Sequence, residues 1–177
     1  MKIKGVLVVI VLAVFVSACV GQSNPYKYNI GNQAVTFRAN LDRAKEVPIS
    51  NATSIQNLLF SSSAQKIYVA YVPDNRSNSL YLVTGYELSY KMIAIQNTLY
   101  GNSPKIEGMT LNSTDEAYKM TSIYTPVILM RAGSDRTAVS FDRNLVLVEG
   151  KDMTENGRDY TDMDLAADKL LLALLGV

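Results

Sequence analysis

The sequence predicts a single α/β layered domain in which a mixed sheet is flanked by helices. Three observations carry this. Lys66 to Val72 and Pro126 to Met130 are short, nearly continuous apolar runs, the pattern of strands buried on both faces. Near the C-terminus, Met163, Ala166, Ala167, Leu170, Leu171 and Leu174 recur at helical spacing. Between these segments, strand-like and helix-like stretches alternate along the chain.

Taken in order, Ala34 to Arg38 carries β-branched and aromatic residues and reads as the first strand of the domain. Ser50 to Ser54 offers several helix N-caps, and Ile55, Leu58 and Leu59 form one helical face that ends at Ser61 to Ser63. The strand from Lys66 is closed by the turn residues Pro73 to Ser79. Leu80 to Tyr100 fits two patterns. Tyr86, Leu88, Tyr90 and Met92 alternate with polar residues, yet Tyr81, Gly85, Leu88, Met92, Ile95 and Leu99 share a helical face. The stretch is too long without a turn for a usual strand, Glu87 and Lys91 form an i, i+4 pair, and Gly101-Asn102 supplies a stop, so a helix is expected. Residues 101 to 122 show no clear pattern. Gly133 to Asp135 is a turn, and Thr137 to Phe141 and Leu145 to Glu149, on either side of Asp142-Arg143-Asn144, read as a hairpin or two close strands. Thr161 and Asp164 form a T-x-x-D capping box before the last helix, whose face Leu172 and Leu175 widen. That helix is expected to pack on the sheet.

The N-terminus has the layout of an export signal. Lys2 and Lys4 precede an uncharged, mostly apolar run from Gly5 to Ala18, shorter than the ~20 residues a spanning helix needs. Val16-Ser17-Ala18-Cys19 closes it, and the small-small-Cys ending resembles the lipobox of prokaryotic lipoprotein precursors. The resemblance covers about the first 20 residues. It implies a diacylglyceryl thioether on Cys19, cleavage before it, and membrane attachment on the extracytoplasmic side. A single acyl chain holds marginally and two hold stably. The expected organisation is a signal peptide over 1–18, a lipidated tether over 19–33, rich in Gly, Gln, Ser, Asn and Pro, and the α/β domain over 34–177.

Composition narrows the chemistry. Cys19 is the only cysteine, so the domain can form no internal disulfide. Histidine is absent, which removes zinc and copper sites built on His or Cys and both Ser-His-Asp and Cys-His catalysis. With 17 basic and 16 acidic residues and no basic run, the chain gives no electrostatic reason to bind nucleic acid. No cofactor is implied.

Three sets of residues compete for a functional role. The segment Glu149 to Asp168 is acidic, and Asp152, Asn156 and Asp159 are its candidate metal ligands. Asp152, Thr154, Asn156 and Gly157 match the start of an EF-hand-like loop, but Met163 stands where the motif needs a bidentate glutamate. A solvated loop leading to a helix start at Asp162 and Asp164 explains the charges equally, and no tight calcium site is expected. Second, Tyr68, Tyr71, Tyr81, Tyr86, Tyr90 and Tyr100 either line a pocket or pack in the core and at sheet edges. Third, carboxylate pairs are numerous, but nothing in the sequence selects one for hydrolysis. Asn51, Asn75 and Asn112 head N-x-S/T sequons.

The expectation is a membrane-anchored surface lipoprotein whose domain binds a small ligand or an envelope protein partner without catalysis. The alternatives are an envelope enzyme using carboxylate, Ser or Tyr groups, and a structural subunit of an envelope assembly. Clustered carboxylates with raised pKa values in a closed pocket would favour the enzyme, and an exposed tyrosine-rich patch would favour partner docking.

Overall fold

The computed structural model describes residues 25–31, 33–74, 78–101, 104–151 and 161–177. It is an α/β domain built on a five-stranded mixed sheet. The elements are β1 (Lys27–Ile30), β2 (Gln33–Thr36), α1 (Leu41–Glu46), α2 (Ala52–Leu59), β3 (Lys66–Tyr71), α3 (Asn78–Leu99), β4 (Lys105–Thr110), α4 (Thr114–Met120), β5 (Val127–Ala132), β6 (Ala138–Asp142), β7 (Leu145–Gly150) and α5 (Asp162–Leu174).

The sheet runs β4-β3-β5-β7-β6. The first four strands are parallel, and β6 pairs antiparallel with β7. Both expected interior strands are there and adjacent, with Tyr68 beside Val127 and Tyr71 beside Met130. The β6–β7 hairpin turns at Arg143 and Asn144, whose φ angles of 47° and 67° are those of a type I′ turn.

The alternation of side chains divides the core in two. Ile67, Val69, Ile128, Met130, Val146 and Val148 point to one face, where α1, α2, α3 and α5 pack. Ala70, Val127, Leu129, Leu145 and Leu147 point to the other, where Leu111 and Ala117 of the α4 region cover them. Helix α5 carries the expected capping box: the Thr161 hydroxyl accepts from the Asp164 amide, and Asp164 Oδ2 accepts from the Thr161 amide. Met163, Leu170, Leu172 and Leu174 are fully buried. Leu80 to Leu99 is helical, as its length implied.

The structure departs from the sequence reading in three places, one of them α1, a helix over Leu41–Glu46 that the sequence reading did not expect. Part of the proposed tether over 19–33 is structured, because β1 pairs antiparallel with β2 and puts Ile30 into the core. Gly31 turns that hairpin at a φ of +57°. The polar composition around Tyr28 and Ile30, the two side chains β1 turns toward the core, hides the strand. Residues 101 to 122, left unassigned from sequence, hold β4 and α4. Strand β4 is half-exposed, and α4 is held by the Ser113 cap on the Glu116 amide more than by apolar spacing.

Candidate functional site, a tyrosine-rimmed groove

Helix α3 crosses the sheet near its β4 edge. Gly85 lets it approach closely: a Cβ there would lie 2.9 Å from Met130 Cε. Beside this contact the helix and sheet enclose a groove of about 540 Å³, lined by Val69, Tyr71, Tyr81, Leu82, Gly85, Tyr86, Ser89, Ile106, Gly108, Met109, Thr110 and Met130. The absence of a side chain on Gly108 leaves the floor open, with nothing within 4 Å of where its Cβ would be. Walls of this kind, apolar and aromatic with few polar groups, are those of binding sites.

Tyr71 and Tyr81 stack with ring centroids 4.7 Å apart. The Tyr81 hydroxyl accepts from the Ala132 amide at 2.9 Å and approaches Asp74 Oδ2 at 3.4 Å. Burial raises the pKa of this phenol, partly countered by the Ala132 amide. The Ser89 hydroxyl donates to the Gly85 carbonyl. The polar groups at the groove's inner end therefore hold its shape. Its outer rim is different. Leu82 is 62% exposed and Tyr86 69%, and Tyr90, 64% exposed, stacks on Tyr86 at 6.4 Å. Ile93 extends the ridge. On the far side of the ridge a second cavity of about 430 Å³ lies between α3 and β2, shared by Tyr86, Tyr90, Glu87 and Lys91.

Of the six tyrosines singled out from sequence, Tyr71, Tyr81 and Tyr86 line the groove and Tyr90 extends its rim. Tyr68 lies on the opposite sheet face, and Tyr100 stacks on Phe60 at 4.1 Å. Spacing on α3 joins Tyr86 to Tyr90, but the meeting of Tyr71 with Tyr81 depends on the β3–α3 connection.

Behind α3 lies a buried ionic cluster, of which the sequence reading held only the Glu87–Lys91 pair. Lys91, almost wholly buried, lies 3.0 Å from Glu87 and 3.9 Å from Asp168, with its ammonium over the Phe37 ring. Asp168 Oδ2 accepts the Ala39 amide at 2.7 Å. Asp164 Oδ1 accepts from the Thr84 hydroxyl at 2.8 Å and lies 3.1 Å from Arg38 Nε. Burial pushes the Asp168 carboxyl up to about 7, against the opposing pull of Lys91 and the Ala39 amide. The cluster ties α3, α5 and the segment after β2 together. Its signal in the sequence was the placing of Thr84 and Lys91, and of Asp164 and Asp168, on otherwise apolar helix faces.

The candidate metal ligands Asp152, Asn156 and Asp159 lie outside the described residues, as do Asn75 and Cys19. Asp162 accepts the Thr137 hydroxyl, and Glu149 pairs with Arg131 and Arg136. Among the described residues, no three His, Cys, Asp or Glu side chains group as a metal site, and no helix is long and apolar enough to cross a membrane. Asn51 and Asn112 are both exposed. No protein-family model matches the chain, and no curated protein or solved structure is significantly similar to it.

Proposed function

We propose that this chain is a lipid-anchored surface protein whose α/β domain docks a partner protein through the ridge of α3 and the groove beside β4. The observation that carries the docking reading is the contiguous exposed ridge of Leu82, Tyr86, Tyr90 and Ile93 flanking an apolar groove. Large apolar side chains clustered in this way mark interaction sites, and tyrosine supplies contact area at low entropic cost. The anchoring reading rests on the lipobox-like Val16-Ser17-Ala18-Cys19. An enzymatic reading draws on Asp168 and Lys91, but Asp168 is bound to the Ala39 amide and Asp164 caps α5. Both carboxylates are committed to holding elements together.

Site-specific photocrosslinking in intact cells tests the docking. A photoreactive residue at Tyr86 or Tyr90 is expected to give discrete protein adducts, whereas one at the exposed Asp115 of α4 is not. Equal labelling at all three positions would remove the reading.

A further inference from the structure

We infer that the partner on this face is a second copy of the chain, joined edge to edge through β4 with the two α3 helices packed across the seam. The inference rests on the docking reading above and names its occupant. Strand β4 ends the sheet, and among the described residues only β3 pairs with it. In the β3–β4 ladder the Leu111 amide donates to Tyr71 and the Lys105 amide faces Gln65. The odd-numbered residues of β4 therefore bond inward. The amides and carbonyls of Ile106, Gly108 and Thr110 point away from the sheet.

That alternation limits the pairing to registers in which outward-pointing residues meet, and the one inferred is centred on Gly108. In an antiparallel pair of identical strands related by a two-fold axis normal to the sheet, outward-pointing groups must oppose one another. With Gly108 on the axis, Gly108 faces Gly108 of the second copy, and Ile106 and Thr110 face each other on both sides. Every outward amide then finds a carbonyl. Centring on Ile106 brings Pro104, which has no N–H, opposite Gly108. Centring on Glu107 sets that carboxylate against its own copy, and like charges directly opposite destabilise a pair. The Gly108 register instead puts Glu107 opposite Met109 and Lys105 opposite Leu111. Glu107 keeps its own pairs to Lys66, at 3.1 Å, and Lys105.

The helices fit the same axis. Gly108 lines the groove together with Leu82, Tyr86 and Ser89, so this stretch of α3 borders the two-fold. Strands are about 4.8 Å apart, and α3 packs on both β3 and β4. The two helices would then lie near the ~8–10 Å at which helices pack. Tyr86 of one copy is positioned to enter the groove of the other. The exposed parts of Tyr86 and Tyr90 amount to about 250 Å² together, roughly a third of the ~800 Å² per partner that a stable interface buries. Leu82, Ile93 and the strand edge add to this.

The test is disulfide trapping in the full-length chain in its membrane. Opposed Cα atoms in a hydrogen-bonded antiparallel pair are about 5.5 Å apart, within disulfide range. Gly108→Cys should give a covalent dimer on mild oxidation. Wild type should not, nor should Lys105→Cys, whose copies are separated by several residues along the paired strands. Tyr86→Arg should leave the circular dichroism and melting temperature of the detergent-solubilised protein unchanged while converting a dimer to a monomer by native mass spectrometry. Equal trapping of Gly108→Cys and Lys105→Cys would overturn the inference, as would a monomeric wild type. If Tyr86 crosslinks to a different protein while the chain stays monomeric, self-pairing falls and the docking reading stands.

Discussion

Asp168 is a carboxylate held where water cannot reach it, and its ionisation therefore reports on folding. Its pKa is about 7 in the folded chain, against an ordinary aspartate value of 3.8. Because the folded value is raised, the stability this group contributes is full below about pH 4 and is lost as pH rises to about 7. Asp168→Asn keeps an acceptor for the Ala39 amide but cannot ionise. Urea unfolding across pH 4 to 8 should show the wild type losing stability relative to Asp168→Asn, on the order of a few kcal/mol. Parallel curves would mean that Lys91 fully compensates the buried charge. Gly150 is a second sensitive position. A Cβ there would lie 2.5 Å from the Met163 amide nitrogen, a backbone atom with no freedom to yield. Gly150→Ala should cost about 1–3 kcal/mol by the same assay, because it forces the start of α5 away from the end of β7.

At the scale of elements, α5 is the main clamp on the sheet's crowded face, touching α1, α2, α3 and β7. Leu171 is almost fully buried there. Leu171→Ala should lower urea stability by about 2–5 kcal/mol, the range for a leucine cavity in a core, and near-unchanged stability would make α5 peripheral. Thr161→Ala removes the hydroxyl that accepts the Asp164 amide and should cost about 1 kcal/mol. Helix α3 has a different balance. Its inner face is packed on the sheet and its outer face carries large apolar side chains in water, so its sequence serves both folding and contact. Introducing a charge at Tyr86 should therefore change association without changing stability.

At the scale of the whole molecule, the proposed anchor bears on where the domain sits. The described residues begin at Pro25, whose carbonyl accepts the Leu41 amide, two residues before β1. A lipid on Cys19 would hold the domain a few residues from the bilayer. Mass spectrometry of the membrane fraction is expected to find an N-terminus at Cys19 with added lipid mass. Cys19→Ser is expected to lose that mass and move to the soluble fraction. An intact Met1 on the mature protein would sink the anchoring proposal.

The sequence by itself determined the elements whose signal is local. The interior strands β3 and β5, the β6–β7 hairpin, the length of α3 and the capped start of α5 were all legible, because apolar runs, turn residues and caps act within a few neighbours. The strand at Ile30 and the pair β4–α4 were not: β1 and α4 are short, with little apolar periodicity beside their local hairpin and Ser113 cap, and β4 takes its place only against the distant β3. The candidate site divides in the same way. Tyr86 and Tyr90 could be joined by helical spacing, whereas the stacking of Tyr71 on Tyr81, the open floor at Gly108 and the outward-facing edge of β4 exist only once β3, α3 and β4 are assembled. The ionic cluster is the clearest case of a tertiary decision. Lys91 and Asp168 meet because α3 and α5 pack on the same face of the sheet, and burial there, rather than residue type, sets how Asp168 titrates.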